Sequence, residues 1–453
     1  MSVKQLPGPA SSFLFGNVLQ IDERPHLSWT KWSKEFGPIY KLSFGPMGDV
    51  VVLSGASQLS KAFEPGSDYD LAFSNRFRSP LFDKIGTVGS ITFEDWFDGA
   101  KDRRRLLQEV IKAMDFERLL QKELNAVSDV LLKNKQVNIC DVINQATSNI
   151  ILTLTLNRGD RFQYTDVKFQ TLIKVIDDCC GLPMLGSPIN VMQCLWHTPL
   201  SSKIRRSFSC LNAAIQPYID AHRAEFNKDK IRDLIDGYIG GVGDTSFDVQ
   251  EVICNIFHIY PSSCSLRATM QWLILFIAGN EDVQIKIQAE IDSVLTDVGN
   301  EDYIDVISNK MPYMNAVIKE SMRLGTSVCQ LAPHCTMTDV NFEGYRIKKD
   351  TTIIANLYGP NHDPDTWSDP FAFKPERWLN NDNLPPFMPF GSGKRKCPAS
   401  SISMNALRML IVTLCLRFNL KGVEGEKLPG VDDSFIMNAI NHPKQFNIVA
   451  TTR

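Results

Sequence analysis

The sequence predicts a mainly α-helical protein with a small β-sheet component, folded as a single domain over residues 1–453. Apolar residues recur at helical spacing from about residue 100 to 225 with few breakers, which is typical of packed amphipathic helices. A second helical pattern covers 247–294 and contains Pro261, where we expect a kink because proline has no backbone N–H. No internal repeat or linker divides the chain, which favours one domain over the roughly three that its length allows.

The β component is expected near the N-terminus and in two short pieces, VNFEGYRI (340–347) and TTIIANL (351–357). A stiff segment (1–10) containing PGPA is followed by two β-rich runs, IYKLSF and DVVVLS, that flank GPMG. This pattern over 39–54 predicts a β-hairpin. Two further helices are expected at about 311–324 and 398–417.

The composition excludes several classes of protein. The chain is 43% hydrophobic and 22% charged, which is inconsistent with intrinsic disorder. Its formal net charge of −3 argues against a nucleic-acid partner. The eleven cysteines are odd in number and follow no repeated spacing, so they indicate neither a disulfide framework nor a zinc site. We therefore expect a reduced, intracellular protein.

No apolar stretch is long enough for a transmembrane helix, which needs about 18 residues or more. We expect the chain to be cytoplasmic or associated with a membrane only at its periphery, and to be a monomer.

The strongest site signal is PFGSGKRKCPA at 389–399. Cys397 directly precedes the predicted last helix, where backbone amides favour a thiolate and lower the pKa of the thiol. Arg395 is suited to pair with a ligand carboxylate, and the glycines of the loop allow a close approach to a flat partner. These features suit an iron macrocycle that carries carboxylates. A glycine turn that ends in a buried structural cysteine is the alternative.

The pattern Phe390-x-x-Gly393-x-Arg395-x-Cys397 resembles the haem-binding loop of the cytochrome P-450 superfamily. Ala399 stands where that family usually has glycine. The resemblance covers about residues 7–450 and implies the cytochrome P-450 fold, haem b as the cofactor and Cys397 as the iron ligand. It also implies that 389–399 is the cysteine loop of the haem and that the kinked helix over 247–294 lies above it.

Three further residues match the family in the same order along the chain. Glu320 and Arg323 form an ExxR pair one helical turn apart, on one face of the helix. Arg377, in PERW, corresponds to the third member of the family's buried charge network.

The usual oxygen-activating segment of the family, A-G-x-acid-T-T, falls on PSSCSL (261–266). Cys264 replaces the acid and Ser265 takes the first threonine position. Because oxygen activation needs a positioned proton relay, the replacement favours chemistry that starts from a hydroperoxide.

The segment FHIYPSS (257–263) resembles the clan of allene oxide synthase, hydroperoxide lyase and epoxyalcohol synthase. His258 falls on the clan's asparagine above the iron, and we expect it to orient a peroxide oxygen. The resemblance implies conversion of polyunsaturated fatty-acid hydroperoxides to epoxyalcohols by homolytic O–O cleavage and return of the hydroxyl, without O₂ or an obligatory reductase. Because this chain, like animal members, lacks the plant insertion in the cysteine loop, we favour the epoxyalcohol.

Three alternatives stay open. An allene oxide or a lyase product would arise from the same substrates. A reductase-dependent monooxygenase would relay protons through Ser265 and water. A haem-binding protein without catalysis would show no turnover, and His258 would bind the iron.

Two positions near the expected haem remain undecided from the sequence. His334 lies where many family members have a propionate-binding arginine; it either makes that contact when protonated or is a polar strand residue. Trp96 and the run 103–105 (Arg-Arg-Arg) lie where a family helix contacts the propionates, but their spacing gives no register. A solvated basic face is the default for such a run.

Segments 79–97 and 326–333 are expected to face the distal side of the haem.

Overall fold

The computed structural model describes residues 4–77, 80–85, 89–157, 160–180, 189, 193–241, 249–295, 303–379, 384–437 and 439–453. Helices predominate there, as the sequence predicts. The helices are α1 (Pro25–Phe36), α2 (Ala56–Ala62), α3 (Asp68–Ala72), α4 (Pro80–Lys84), α5 (Lys101–Ala113), α6 (Phe116–Lys133), α7 (Ile139–Leu156), α8 (Val167–Cys180), α9 (Ser202–Ala224), α10 (Leu234–Gly240), α11 (Val249–Ile259), α12 (Pro261–Ala278), α13 (Glu281–Leu295), α14 (Tyr303–Asn309), α15 (Pro312–Gly325), α16 (Tyr358–Asn361) and α17 (Ser400–Arg417).

The strands are short and form four small sheets in the described part of the chain. They are β1 (Ile39–Ser43), β2 (Asp49–Leu53), β3 (Asn75–Arg76), β4 (Val137–Asn138), β5 (His334–Cys335), β6 (Val340–Phe342), β7 (Tyr345–Ile347), β8 (Thr352–Ala355), β9 (Phe418–Gly422), β10 (Ser434–Met437), β11 (Ile440–Pro443) and β12 (Asn447–Thr452). Together with the helices they confirm the predicted fold class, mainly α with a small β component.

The largest sheet has the strand order β1-β2-β8-β5-β3. Its first two strands pair antiparallel and form the hairpin predicted at 39–54. At the opposite edge, β3 and β5 pair so that Arg76 lies opposite His334. Directly opposed residues on antiparallel strands have neighbouring side chains, so this edge brings a guanidinium and an imidazole together.

The helical stretch predicted at 247–294 is divided into three helices, which corrects the prediction of one kinked helix. The first division falls at Tyr260, before Pro261, whose missing N–H interrupts the hydrogen-bond ladder. The second falls at Gly279 and Asn280, where the Asn280 side chain donates to the Phe276 carbonyl at 2.8 Å. Residues 247 and 248, like residues 1–3 of the N-terminal segment, lie outside the described residues.

The main apolar core surrounds α12 and includes side chains of α6, α7, α13, α15 and α17. Trp272 of α12 is fully buried, and its indole N–H donates to the Asn441 carbonyl at 3.0 Å. A Cβ on Gly325 would lie 2.6 Å from this indole, so glycine allows α15 to approach α12 closely. The core thereby fixes α12 against the rest of the fold.

None of the helices in the described ranges combines the length and apolar character that crossing a bilayer requires.

Candidate functional site: a cavity between α12 and the Cys397 loop

A cavity of about 330 Å³ lies between α12, the β3–β5 sheet edge and the loop that precedes α17. Its walls are largely apolar, with a few polar groups at defined places, as is typical of small-molecule sites. The apolar lining residues include Ile91, Leu107, Ile111, Phe116, Ile150, Ile151, Leu154, Ile259, Leu266, Met322, Val328, Leu331, Phe390, Ile402 and Leu407. Members of this set come from both segments that the sequence predicts for the distal side; of the first segment, residues 79 and 86–88 lie outside the described residues.

The cavity brings together five of the six predicted site residues: Cys397, Arg395, Phe390, His334 and His258. They come from three separate stretches of the chain. The roles assigned to them from the sequence stay predictions, but their meeting in one cavity is the arrangement that those roles require.

The sixth predicted residue, Gly393, has a different close contact from the one expected. Its φ is +64°, and a Cβ there would lie 2.1 Å from Oδ1 of Asp70. The same carboxylate oxygen accepts from the Lys394 N–H at 2.7 Å. Gly393 therefore lets the cysteine loop seat against α3; its role beside a flat partner stays a prediction.

Cys397 lies just before α17, and its N–H donates to the Phe390 carbonyl at 2.9 Å. Burial raises the pKa of the thiol, while the Ala399 N–H and the charge of Arg104 act in the opposite direction. The Ala399 amide lowers this pKa as expected, but the desolvation of a thiolate has the larger effect, so the pKa of the thiol is raised overall.

Three guanidinium groups line one side of the cavity: Arg76, Arg104 and Arg395. Burial and the neighbouring cations lower the pKa of Arg76 well below its usual range, and burial with Arg104 lowers that of Arg395 to about 10. Arg395 donates to the carbonyls of Ser74 and Glu94, at 2.6 and 2.5 Å. Its buried Nη1 has no hydrogen-bond partner among the described residues. Buried cations so close together repel one another, and an anionic ligand in the cavity would stabilise them.

The run 103–105 is divided by the fold into three different environments. Arg103 pairs with Glu251 and, at 3.5 Å, with Glu94. Arg105 is exposed and lies 3.7 Å from Glu109. Arg104 alone lines the cavity, and it donates to the Lys396 carbonyl. The solvated basic face expected from the sequence therefore applies to one residue of the run.

The indole ring of Trp96 packs against the side chains of Arg395 and Lys394. The guanidinium of Arg395 lies 5.3 Å from the centre of the indole ring, and the Lys394 ammonium lies at 6.0 Å. Such cation–π contacts hold a guanidinium in one orientation. Trp96 thus positions Arg395 through its ring face.

His334 is a buried strand residue and lines the cavity. Its Nδ1 lies 2.6 Å from the Phe73 carbonyl, to which it donates, and its ring packs against Phe63. Burial and the adjacent Arg76 lower its pKa well below the usual range. The protonated form needed for a propionate contact is therefore disfavoured, and Arg76 supplies the positive charge at this edge.

The predicted charge network is confirmed in geometry. Glu320 is fully buried and receives two hydrogen bonds of 2.9 Å from Arg323. Arg377 donates to the same carboxylate at 3.0 Å, and Trp378 donates at 2.8 Å. Burial alone would raise the pKa of Glu320, but the bonds and charge of Arg323 hold it below its usual value. The network joins α15 to the segment that precedes the cysteine loop.

Within PSSCSL, the residues divide between two faces of α12. Ser262 and Ser265 line the cavity, as does Thr269 one turn further on. Cys264 is fully buried on the other side, where Arg267 donates to its sulfur at 3.1 Å. Cys264, which replaces the usual acid, therefore does not line the cavity. The hydroxyl groups of Ser262, Ser265 and Thr269 do.

His258 lies at the end of α11 and is buried. Its Nδ1 is 3.0 Å from Ser90 Oγ and 3.2 Å from Cys254 Sγ. Burial lowers its pKa to about 3, so the ring is neutral near pH 7. Its Nε2 is buried without a hydrogen-bond partner in the described part of the chain.

Sequence reasoning missed Arg76, Ser90 and Thr269. No local pattern marks Arg76, because only the β3–β5 register brings it to the cavity. Thr269 could have been found from its helical spacing, one turn after Ser265.

These features define a haem-thiolate class of site, and the comparisons with known proteins agree. The sequence model of the family "Cytochrome P450" matches residues 6–449, so the chain belongs to the cytochrome P450 family. It is 28% identical to cytochrome P450 2J5 of Mus musculus, over 99% of this chain and 91% of that protein. It is 26% identical to cytochrome P450 1A1 of Limanda limanda, over 94% of this chain and 87% of that protein.

A solved zebrafish cytochrome P450, in a structure with abiraterone, has the same fold. The TM-score is 0.81 at 22% identity, with 95% of this chain and 100% of that chain covered. The protein is therefore an enzyme of the cytochrome P450 superfamily, whose members bind haem b through a cysteine thiolate.

The residues present fit this cofactor. Cys397 offers a sulfur ligand to the iron on one side of the cavity. The guanidiniums of Arg76, Arg104 and Arg395 are available for two propionates, and the unpartnered Nη1 of Arg395 is one such donor. Apolar side chains form most of the remaining wall, as a flat hydrophobic ring requires.

Proposed function

We propose that the chain is a reductase-dependent monooxygenase that acts on largely apolar organic substrates. The observation that carries the proposal is the division of α12: Ser265 and Thr269 line the cavity, whereas Cys264 faces the core. The replaced acid therefore does not argue against oxygen activation. Similarity to cytochromes P450 2J5 and 1A1 over nearly the whole chain also supports the proposal.

In this proposal Cys397 is the iron ligand, and Arg76, Arg104 and Arg395 hold the propionates. Haem, when bound, supplies a thiolate-ligated iron at which dioxygen is reduced and an oxygen atom is transferred. Lys396 is exposed beside Cys397 and is suited to attract an acidic electron donor.

Proton delivery is assigned to the hydroxyl groups of α12. Ser265 Oγ donates to the Ser262 carbonyl at 2.9 Å, which leaves its lone pairs to accept from water. Thr269 Oγ1 donates to the Ser265 carbonyl at 2.8 Å and lies 3.0 Å from Ser327 Oγ. A hydroxyl with a fixed donor direction orients a water for proton transfer. Ser265 thus takes the place of the usual threonine.

The proposal is tested by electron transfer to the purified haem protein. With NADPH, a cytochrome P450 reductase and carbon monoxide, we expect reduction of the iron. With ¹⁸O₂ and linoleic acid as the probe, we expect an ¹⁸O-labelled product. Ser265→Ala should raise the NADPH consumed per product severalfold, and Ser265→Thr, the matched control, should not. If NADPH and reductase fail to reduce the protein, the proposal is wrong.

Isomerisation of fatty-acid hydroperoxides to epoxyalcohols is the second candidate. The observation that favours it is the unpartnered Nε2 of His258, on a residue that lines the cavity. Such a group can hydrogen-bond a peroxide oxygen. The test is incubation with linoleic acid hydroperoxide without NADPH or reductase. Rapid, His258-dependent formation of epoxyalcohol, allene oxide or lyase product supports this candidate; no consumption excludes it.

A further inference from the structure

The loop 89–91 is clamped onto α11 by one side chain. The amide of Asn255 donates to the Gly89 carbonyl at 2.6 Å, and its oxygen accepts from the Ile91 N–H at 2.8 Å. Asn255 is fully buried, and so is Ser90, which lies between the two clamped residues. The clamp therefore fixes the Ser90 hydroxyl beside the ring of His258.

The hydrogen bonds of Ser90 determine which ring nitrogen of His258 carries the proton. Ser90 Oγ already accepts from the N–H groups of Thr92 and Phe93, at 3.2 and 3.1 Å. A hydroxyl has two acceptor positions and one donor, so what remains for the imidazole is the O–H. Ser90 donates to Nδ1, and the proton of the neutral ring is on Nε2.

The other tautomer leaves a buried group unsatisfied. If Nδ1 carried the proton and donated to the backbone of Cys254, both the Ser90 O–H and the Nε2 lone pair would be unsatisfied, whereas the proton on Nε2 leaves only the Nε2 N–H without a partner. A buried hydroxyl that makes no hydrogen bond with its O–H is destabilised by the full loss of its hydration. The Cys254 thiol, 3.2 Å from Nδ1, is protonated because burial raises its pKa to about 12, so no thiolate draws the ring proton to Nδ1.

The ring is also held in one orientation. Phe93 meets it edge to face at 5.2 Å between ring centres, and Phe257 packs at 5.0 Å. His258, a residue that lines the cavity, therefore carries a neutral Nε2–H at a fixed place, without a partner in the described structure.

We propose that Nε2–H of His258 is a hydrogen-bond donor that selects substrates with a carbonyl or similar acceptor oxygen, and that Ser90 is the positioning residue that sets its tautomer. The proposal deepens the proposed function by naming a substrate class, and it rests on that function only for the cavity being the substrate site. A carbonyl fits this donor because it accepts without needing to donate. An equally shaped hydrocarbon leaves the N–H unpaired and binds more weakly.

The test is the affinity of the haem-loaded protein for matched probes: pentylbenzene and the three ketones 1-phenyl-1-, 1-phenyl-2- and 1-phenyl-3-pentanone. Calorimetric titration should show at least one ketone binding about tenfold tighter than pentylbenzene, as one hydrogen bond allows. His258→Phe should abolish this preference while leaving pentylbenzene affinity within twofold. His258→Gln, which keeps an N–H at similar reach, should retain it.

Ser90→Ala should lower ketone affinity severalfold and leave pentylbenzene affinity unchanged, and Ser90→Thr should restore the preference. A merely structural role of Ser90 would lower both affinities together and contradict the proposal. Equal binding of all four probes by the unmodified protein, or a ketone preference that survives His258→Phe, would overturn it. A preference without NADPH-dependent turnover would leave this inference standing and remove the proposed monooxygenase function.

Discussion

At the residue scale, identical side chains take different roles according to what surrounds them. The sequence offers three consecutive arginines at 103–105, and the fold directs only Arg104 to the cavity. His258 and His334 are both buried cavity residues, yet one has its donor unpaired and the other has Nδ1 committed to a carbonyl. Hydrogen-bond partners, more than residue type, decide these roles.

Arg104 provides a test of the propionate contact. Arg104→Gln should speed transfer of haem to excess apomyoglobin about tenfold, because a hydrogen bond to a charged group contributes about 1.5–3 kcal/mol. Arg105→Gln is the matched control, since Arg105 is exposed and makes only a surface pair. Equal haem loss from the two variants would contradict the placement of Arg104.

At the element scale, two segments far apart in sequence are joined by one buried carboxylate. Glu320 of α15 binds Arg323 of its own helix and Arg377 of PERW. Because all three charges are paired and hydrogen-bonded, their burial is compensated; removing one partner leaves the others uncompensated.

Glu320→Gln should therefore lower the free energy of unfolding by about 3–5 kcal/mol, measured by urea denaturation. Glu376→Gln, in the same PERW motif, is the control. Glu376 forms a half-exposed pair with Lys286 at 2.7 Å, and exposed pairs contribute about 0–1 kcal/mol. A small loss for Glu320→Gln would mean that the network does not stabilise the fold.

At the scale of the whole molecule, buried histidines make the fold sensitive to acid. Burial lowers the pKa of His26 and His362 to about 4, and that of His258 and His442 to about 3. Between pH 6.5 and 4 the unfolded chain binds protons that the folded chain does not. The free energy of unfolding therefore rises with pH in this window and falls as the pH is lowered.

Each of these histidines should cost about 1.4 kcal/mol of stability between pH 7.5 and 5.5. His442→Gln should reduce that loss by about this amount in urea unfolding at the two pH values, whatever its effect at pH 7.5. The exposed His197→Gln is the control. An unchanged difference between the two pH values in His442→Gln would contradict the neutral, buried state of His442.

The family, the fold class and the cysteine loop could all be predicted from the sequence. These are readable because Phe390, Arg395 and Cys397 lie close together in the chain, and because helical periodicity is a local property. The ordered recurrence of Glu320, Arg323 and Arg377 was likewise readable as a pattern.

Which residues face the cavity depends on contacts between distant parts of the chain. The register of β3 and β5 brings Arg76 in, and the turn of α12 takes Cys264 out. That second fact removes the ground for the inference drawn from the missing acid, because the face of a helix that meets a cavity depends on how the helix packs in the fold. Ser90 could not be found from the sequence, because its contact with His258 joins residues that are 168 positions apart in the chain.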